Sequence, residues 1–142
     1  MAGYIDPARA QFEMFKALPR DEPINMLNLI QLRDQAAYED GRPATGAEAY
    51  AAYGRESGLI FARVGGKIIW RGAPRLMLIG PSQETGEEAW DIAFVAYYPT
   101  AVAFLEMVTD PEYRIAVKHR QAAVKDSRLL RCDALEGSDA FG

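Results

Sequence analysis

The chain has 142 residues, of which 49% are hydrophobic and 25% charged, and its formal net charge is −4. This length and composition predict one globular domain over residues 1–142. The negative charge disfavours nucleic acid and anionic membranes as partners, because both repel an acidic surface.

Metal, disulfide and membrane signals are weak in this sequence. The only cysteine is Cys132 and the only histidine is His119. Neither a disulfide nor a closed zinc site can be built from them within one chain. The N-terminus has no basic segment followed by an apolar core, and no apolar run approaches the ~20 residues of a spanning helix. We therefore expect a soluble, cytoplasmic protein that holds no metal or other cofactor.

The first third of the chain carries a helix signal, a strand signal and a polar loop. Asp6-Pro7 predicts the start of an N-terminal helix over residues 6–18, because proline suits the first helical position. The apolar run INMLNLIQL at 24–32 predicts a largely buried strand. Residues 33–44 are polar and predict a loop with one helical turn around 36–38.

A long helix and a long strand follow this loop. Thr45-Gly-Ala-Glu48 matches a capping box, in which the threonine and glutamate side chains satisfy each other's backbone amides. It opens a helix that Gly65-Gly66 ends. Residues 67–80 predict one long strand, with a bulge or bend at Gly72-Ala-Pro74 on a sheet edge.

The next signals predict a strand followed directly by a short helix. Residues 91–98 form an apolar run typical of a buried strand, and Pro99 ends it because proline cannot donate to a ladder. Thr100 predicts the cap of the short helix. Three residues at helical spacing are expected to face inward from it, namely Val102, Leu105 and Val108.

A second cap and a last strand complete the chain. Asp110-Pro111 predicts another helix start, because aspartate supplies a cap oxygen and proline suits the next position. This helix is expected to end near residues 126–127, and residues 128–132 predict a short strand. Its inward face is predicted to carry Tyr113, Val117, Arg120 and Val124.

The order of these elements indicates the fold. After the N-terminal helix the order is strand, helix, strand, strand, helix, strand, which is the split βαβ, ferredoxin-like unit, here over residues 24–135. Its four-stranded antiparallel sheet carries helices on one face only. The other face is too apolar for a stable monomer, so we predict a homodimer, a dimeric α/β barrel, that buries it.

A family resemblance rests on a set of residues that recur in a fixed order through this segment. They are Asn25-Met-Leu-Asn-Leu29, Gly46, Ala49-Tyr50, Tyr53-Gly54, Gly65-Gly66, Trp70-Arg-Gly72, Trp90-Asp91, Tyr98-Pro99, Ala103-Phe104, Met107, Asp110-Pro-Glu-Tyr113, Arg120, Ala122-Ala123 and Asp126-Ser-Arg-Leu129. Together they resemble the domain of unknown function 1330 family in the dimeric α/β-barrel superfamily. The resemblance implies the fold and a homodimer, and it implies no catalytic residue. The superfamily contains cofactor-free monooxygenases, isomerases, lyases and haem-binding members, so the fold alone does not select a reaction.

Two polar side chains interrupt apolar surfaces and are the first candidates for ligand binding. Asn28 lies among apolar neighbours in the first strand, and a buried amide needs a hydrogen-bond partner from protein, water or ligand. Arg120 lies on the apolar face of the last helix, where an unpaired charge is costly. It therefore either forms a salt bridge with Asp91 or Asp126, which is the commoner arrangement, or binds a substrate carboxylate.

His119, Tyr53 and Trp70 complete the candidate set. Histidine is the side chain best suited to exchange protons near neutral pH, although an ordinary helix residue is the simpler interpretation. Tyr53 and Trp70 are either core residues or pocket walls whose polar groups need partners. The candidate pocket lies between the first strand and the long helices, bordered by Asn28, Tyr53, Trp70, His119 and Arg120.

Two functions are compatible with these residues. The first is a cofactor-independent enzyme for a small apolar or aromatic carboxylate or carbonyl compound. In that case His119 or a tyrosine handles a proton, and Asn28 and Arg120 hold the oxygen. The second is a non-catalytic dimer that binds a small ligand or fills its own core. An open cavity beside Asn28 favours the first function, whereas a filled interior favours the second.

Overall fold

The structure, a computed structural model, describes residues 3–137 and 139–141. No helix in this described part is both long enough and apolar enough to cross a membrane. In chain order the elements are α1 (Arg9–Ala17), β1 (Ile24–Leu32), α2 (Gly46–Arg63), β2 (Lys67–Gly72), a 3-10 turn (Gln83–Thr85), β3 (Ile92–Tyr98), α3 (Ala101–Thr109), α4 (Pro111–Ala123) and β4 (Val124–Cys132).

The four strands form one antiparallel sheet in the order β2-β3-β1-β4. In the middle of the sheet, Asn28 on β1 lies opposite Phe94 on β3 and Leu129 on β4. β3 thus lies between β1 and β2, and β1 lies between β3 and β4, whereas β2 and β3 pair directly. This is the ferredoxin-like topology, so the predicted fold class is confirmed, including the additional N-terminal helix.

Three predicted caps begin the helices that cover the sheet. Thr45 and Glu48 form the reciprocal capping box, with the Glu48 amide donating to Thr45 at 3.0 Å. Thr100 accepts from the Ala103 amide at the start of α3, and Asp110 accepts from the Glu112 amide at the start of α4. Each cap contributes about 1 kcal/mol to its helix and fixes where the helix begins.

The buried stripe of α3 differs from the predicted one. Its buried residues are Ala101, Ala103, Phe104 and Met107, whereas Val102 is 38% exposed. Nearly every residue of α3 is apolar, so two stripes fit the helical period equally well and the pattern could not distinguish them.

The predicted long strand over residues 67–80 is wrong beyond its first six residues. Pairing of β2 with β3 ends where Gly72 lies opposite Ala93. Pro74 has no amide to donate, and β2 is an edge strand with no neighbour beyond it to hold the chain extended.

Three smaller boundary predictions are also corrected. α1 begins at Arg9 rather than Asp6, because the Asp6 carboxylate accepts hydrogen bonds from Gln121 instead of capping the helix. No helical turn forms at 36–38, where Ala37 donates its amide to the carbonyl of Ala122. α4 ends at Ala123, and β4 begins at the next residue without a loop.

The space between sheet and helices is filled by two separate groups of buried side chains. The larger group includes Ile24 and Met26 at the start of β1. The buried residues of α3 and Ile60 of α2 pack over them. The smaller group includes Ile30 at the other end of β1 and Val124. Asn28 lies between Met26 and Ile30 on the same face of the strand, so the boundary between the two groups falls at Asn28.

The opposite face of the sheet carries no helix. We call it the bare face, and it consists mainly of Leu27, Leu29, Trp70, Val95, Tyr97 and Leu130. Trp70 and Leu130 are more than half exposed. These side chains leave a broad apolar surface in the single chain.

The N-terminal segment is held against β4 by polar contacts. The Asp126 carboxylate accepts from the Tyr4 amide at 2.9 Å and pairs with Arg128 at 2.7 Å. The Arg128 guanidinium lies between the rings of Tyr4 and Trp90, at 5.0 and 5.1 Å from their centroids. Burial alone would raise the pKa of Asp126, but the hydrogen bonds from Tyr4, Arg128 and Ser127 outweigh it and lower the pKa below the usual value.

This lowered pKa makes stability depend on acid pH. The contribution of Asp126 is present above the pKa of the carboxyl in the unfolded chain, at about pH 4, and is lost as the pH falls through the lower folded-state pKa. We expect Asp126→Asn to unfold more easily than the parent at pH 7 and to lose less stability below pH 4. Urea titrations of both proteins at several pH values measure the free energy of unfolding. Parallel curves of that free energy against pH would contradict the prediction.

Candidate functional site

Asn28 has a polar side chain at the centre of the helix-covered face. Its side-chain nitrogen donates to the carbonyl of Met26 on the same strand at 3.0 Å. No other described residue hydrogen-bonds this side chain, and the oxygen is not sealed from solvent. The amide is half-buried and its oxygen retains acceptor capacity.

Three tyrosines bring hydroxyl groups to the boundary between the two buried groups. Tyr50 packs against the smaller group, Tyr53 packs against the larger one, and their rings lie 5.5 Å apart. The hydroxyl groups of Tyr53 and Tyr113 are hydrogen-bonded at 2.8 Å. We call Asn28, Tyr50, Tyr53 and Tyr113 the polar seam.

The hydroxyl of Tyr50 makes no hydrogen bond with any residue that the structure describes. Burial raises the pKa of Tyr50, and the neighbouring Tyr53 raises it further, while Arg120 and Arg71 partly oppose the shift. Burial also raises the pKa of Tyr113. Both phenols are therefore neutral at physiological pH, so each can donate a hydrogen bond and neither acts as a base.

An open pocket lies at the β2 edge of the sheet, and no residue of the seam lines it. Across the helix-covered face, Asn28 lies opposite Phe94 and Phe94 lies opposite Arg71. Arg71 lines a pocket of about 290 Å³ together with Gly72, Ala73, Asp91 and Ile92. Asp91 is held in place there, because it accepts the Leu32 amide at 2.8 Å. A cation and a carboxylate thus border one open pocket, and the Arg71 guanidinium is near enough to Tyr50 to affect the pKa of its phenol.

Arg120 lies near the seam, but its guanidinium is bonded to protein. It donates to the backbone carbonyl of Ile5 and to the Ser127 hydroxyl, the latter at 3.1 Å. The predicted salt bridge to Asp91 or Asp126 is wrong, because the backbone carbonyl and the hydroxyl take up these donors. Arg120 joins α4, β4 and the N-terminal segment.

His119 faces a different set of partners. Its ring accepts from the Tyr38 hydroxyl at Nδ1 (2.6 Å) and, with its proton on Nε2, donates to Glu56 (2.7 Å). Neither ring nitrogen is left for a ligand. The contacts join the loop after β1 to α2 and α4, so the structure does not bring His119 together with Asn28.

Trp70 lies on the other side of the sheet from Asn28. β2 contains a bulge, because Ile68 pairs with Ala96 and Trp70, rather than Ile69, pairs with Val95. The extra residue turns Trp70 to the bare face. Of the five predicted border residues, the structure therefore places Asn28 and Tyr53 along the seam, Arg120 beside it, and His119 and Trp70 elsewhere.

Sequence reasoning missed three residues of this site, namely Tyr50, Arg71 and Asp91. Tyr50 and Tyr53 are three residues apart on one helix, a spacing that could have indicated a shared surface. Arg71 and Asp91 lie on neighbouring strands at the sheet edge, and only the pairing of β2 with β3 places them together.

Within the described residues, no three or more histidine, cysteine, aspartate or glutamate side chains are grouped so that they could hold a metal ion.

Comparison with known proteins assigns the fold and a family. The family model described as "Domain of unknown function (DUF1330)" matches residues 43–131. No protein of curated function matches the chain significantly. The chain is 57% identical to the methylated RPA0582 protein, with a TM-score of 0.91, and the match covers 96% of this chain and 98% of that one.

Two further solved structures share the fold of this chain. The RPA0582 protein of unknown function from Rhodopseudomonas palustris is 57% identical, with a TM-score of 0.88 and coverage of 94% of this chain and 98% of that one. SnoaB, a cofactor-independent oxygenase from Streptomyces nogalater, is 14% identical, with a TM-score of 0.52 and coverage of 81% and 95%. At that identity the similarity to SnoaB shows the fold alone.

Proposed function

We propose a function from the site, because the chain belongs to the DUF1330 family, which is defined by fold and sequence rather than by a reaction. In this proposal the protein is a homodimer that binds a small apolar or aromatic compound with a carboxylate or carbonyl group. The observation that carries this proposal is the pocket of about 290 Å³ that Arg71 and Asp91 border. Tyr50 lies close enough to Arg71 for the guanidinium to lower the pKa of its phenol.

The charges and hydroxyls of the site favour an oxygen-bearing ligand. Arg71 makes no salt bridge with the described residues and offers a planar set of donors suited to a carboxylate. Tyr50 is a neutral phenol that can donate to a second oxygen. Phe94 lies between Asn28 and Arg71 and supplies an apolar wall for the body of the ligand.

A second candidate function is cofactor-independent proton transfer next to a carbonyl group, and the position of Asp91 favours it. Its carboxylate borders the same pocket as Arg71 and is oriented by the Leu32 amide. Asp91 would remove a proton from the carbon next to the carbonyl, while Tyr50 and Arg71 stabilise the enolate oxygen that gains the charge. The proton would then return to the oxygen, giving the enol.

Phenylpyruvate tests both functions, since it combines an aromatic ring, a carbonyl and a carboxylate. We expect calorimetry to show its binding, with about tenfold weaker affinity for Tyr50→Phe, because one hydrogen bond of roughly 1–1.5 kcal/mol is lost. Arg71→Met should weaken binding further. Tyr97→Phe is the matched control, because Tyr97 pairs with Asn25 on the bare face, outside the seam.

The controls separate binding from turnover. The alcohol 2-phenylethanol, which has the ring but no carboxylate, should bind weakly to every variant. Binding that neither Tyr50→Phe nor Arg71→Met alters would contradict the proposed site. Phenylpyruvate that binds without faster keto–enol interconversion, measured by ultraviolet absorbance against Asp91→Asn, would favour the non-catalytic function.

A further inference from the structure

Residues 73–80, which we call the arm, follow β2 and carry four large apolar side chains in succession. Leu76, Leu78 and Ile79 are 66%, 84% and 90% exposed, although Met77 between them is half-buried. Exposed leucines scattered singly are common on proteins, but a continuous run of this kind indicates a contact surface.

The backbone of the arm is also without partners. β2 pairs with β3 only as far as Gly72, and no backbone hydrogen bond among the described residues involves the arm. An exposed, apolar segment with free amide and carbonyl groups is suited to pairing with, or packing on, another chain.

The arm is continuous with the bare face. It begins three residues after Trp70, which lies on that face at the edge of the sheet. Six apolar side chains of the arm, the bare face and the adjoining bulge at Ile69 are each more than half exposed, namely Ile69, Trp70, Leu76, Leu78, Ile79 and Leu130. At roughly 100–180 Å² apiece they offer about 800 Å² per chain, the area that each partner contributes to an interface of standard size.

We propose that the arm of each chain packs on a second copy of this chain, at the margin of its bare face, and that this contact holds the homodimer together. The inference rests on the proposed homodimer and adds the element that stabilises it. A second copy is the occupant because one chain offers both an apolar arm and an apolar face, and a two-fold interface is self-complementary. The area available matches what such an interface needs.

The contact also links assembly to the pocket. Ala73 at the root of the arm lines the pocket beside Arg71 and Asp91. When a second copy fixes the arm, it also fixes the position of Ala73 and hence the width of the pocket mouth. The second copy thus determines the position of the arm, and the arm borders the pocket of each chain.

The first test compares two pairs of charged substitutions on exposed apolar residues. Leu78→Asp with Ile79→Asp alters the arm, and Leu59→Asp with Ile115→Asp is the matched control on α2 and α4, where the side chains are 75% and 64% exposed. We expect sedimentation analysis to show a dimer Kd raised about 100-fold or more by the arm pair and unchanged by the control pair. Circular dichroism spectra of all proteins should agree.

A third variant distinguishes the arm from the dimer itself. Leu27→Asp places a charge at the centre of the bare face, opposite Val95 and Leu130. If Leu27→Asp dissociates the dimer and the arm pair leaves its Kd unchanged, the arm proposal is wrong and the homodimer stands. If the unaltered chain is monomeric at micromolar concentration, both are wrong.

Hydrogen exchange gives a readout that does not depend on the folding of a variant. The arm amides have no backbone partner among the described residues, so protection of residues 76–80 that depends on dimer concentration indicates contact with a second chain. We expect these amides to be protected at concentrations where the dimer forms and to lose that protection on dilution. Exchange at unprotected rates in a sample that is fully dimeric overturns the proposal.

Discussion

Gly46→Ala is expected to destabilise the protein by about 2–4 kcal/mol, because the added methyl group has no room at this position. Gly46 is the first residue of α2 and is buried against the loop after β1. A Cβ there would overlap the backbone carbonyl oxygen of Arg33, and backbone cannot rotate away as a flexible side chain can. The start of α2 would have to move, together with the Gly46 amide that donates to Asp34.

The same helix contains its own control. Gly54 also lies in α2, but a Cβ there meets no atom within 4 Å. Gly54→Ala should stabilise the protein by about 0.5–1 kcal/mol, since alanine restricts the unfolded chain and favours the helix. Chemical denaturation of both variants measures the difference, and similar midpoints for the two would contradict the close packing of Gly46.

Arg120→Met is expected to cost about 2–3 kcal/mol of unfolding free energy, because it leaves the Ile5 carbonyl and the Ser127 hydroxyl without their charged donor. The substitution preserves most of the apolar stem, so lost packing contributes little. We also expect the amides of residues 4 and 5 to exchange faster, since Arg120 holds this segment against α4 and β4.

Arg114→Met is the matched control for this substitution. Arg114 lies on the same helix and is exposed, so its replacement should change stability by less than about 0.5 kcal/mol. If Arg120→Met is as stable as Arg114→Met, the hydrogen bonds of Arg120 do not support the fold. A role in ligand binding would then become the better interpretation.

Signals carried by neighbouring residues in the sequence allowed accurate prediction. The capping box at Thr45 and the bounds of β1 were both predicted, because each depends on a local pattern of caps and apolar residues. The order of the elements then identified the sheet topology, since only a few connections join such elements without crossing.

Features that depend on distant residues were missed. Simple alternation from Ile68 puts Trp70 on the helix-covered face, and the one-residue bulge at Ile69 reverses this. Arg120 was expected to pair with a carboxylate, but the N-terminal segment supplies a backbone carbonyl instead. The partners of His119 come from a loop and a helix that are 81 and 63 residues away in the chain.

The direct junction of α4 with β4 has a mechanical consequence. Ala123 ends the helix and Val124 begins the strand, so no flexible residues separate two elements that belong to different layers. A displacement of α4, which contributes Tyr113 to the seam, is therefore passed to β4 without a loop to absorb it. β4 carries Leu130 on the bare face. A shift of Tyr113 and α4 inside the protein is therefore expected to displace the bare face as well.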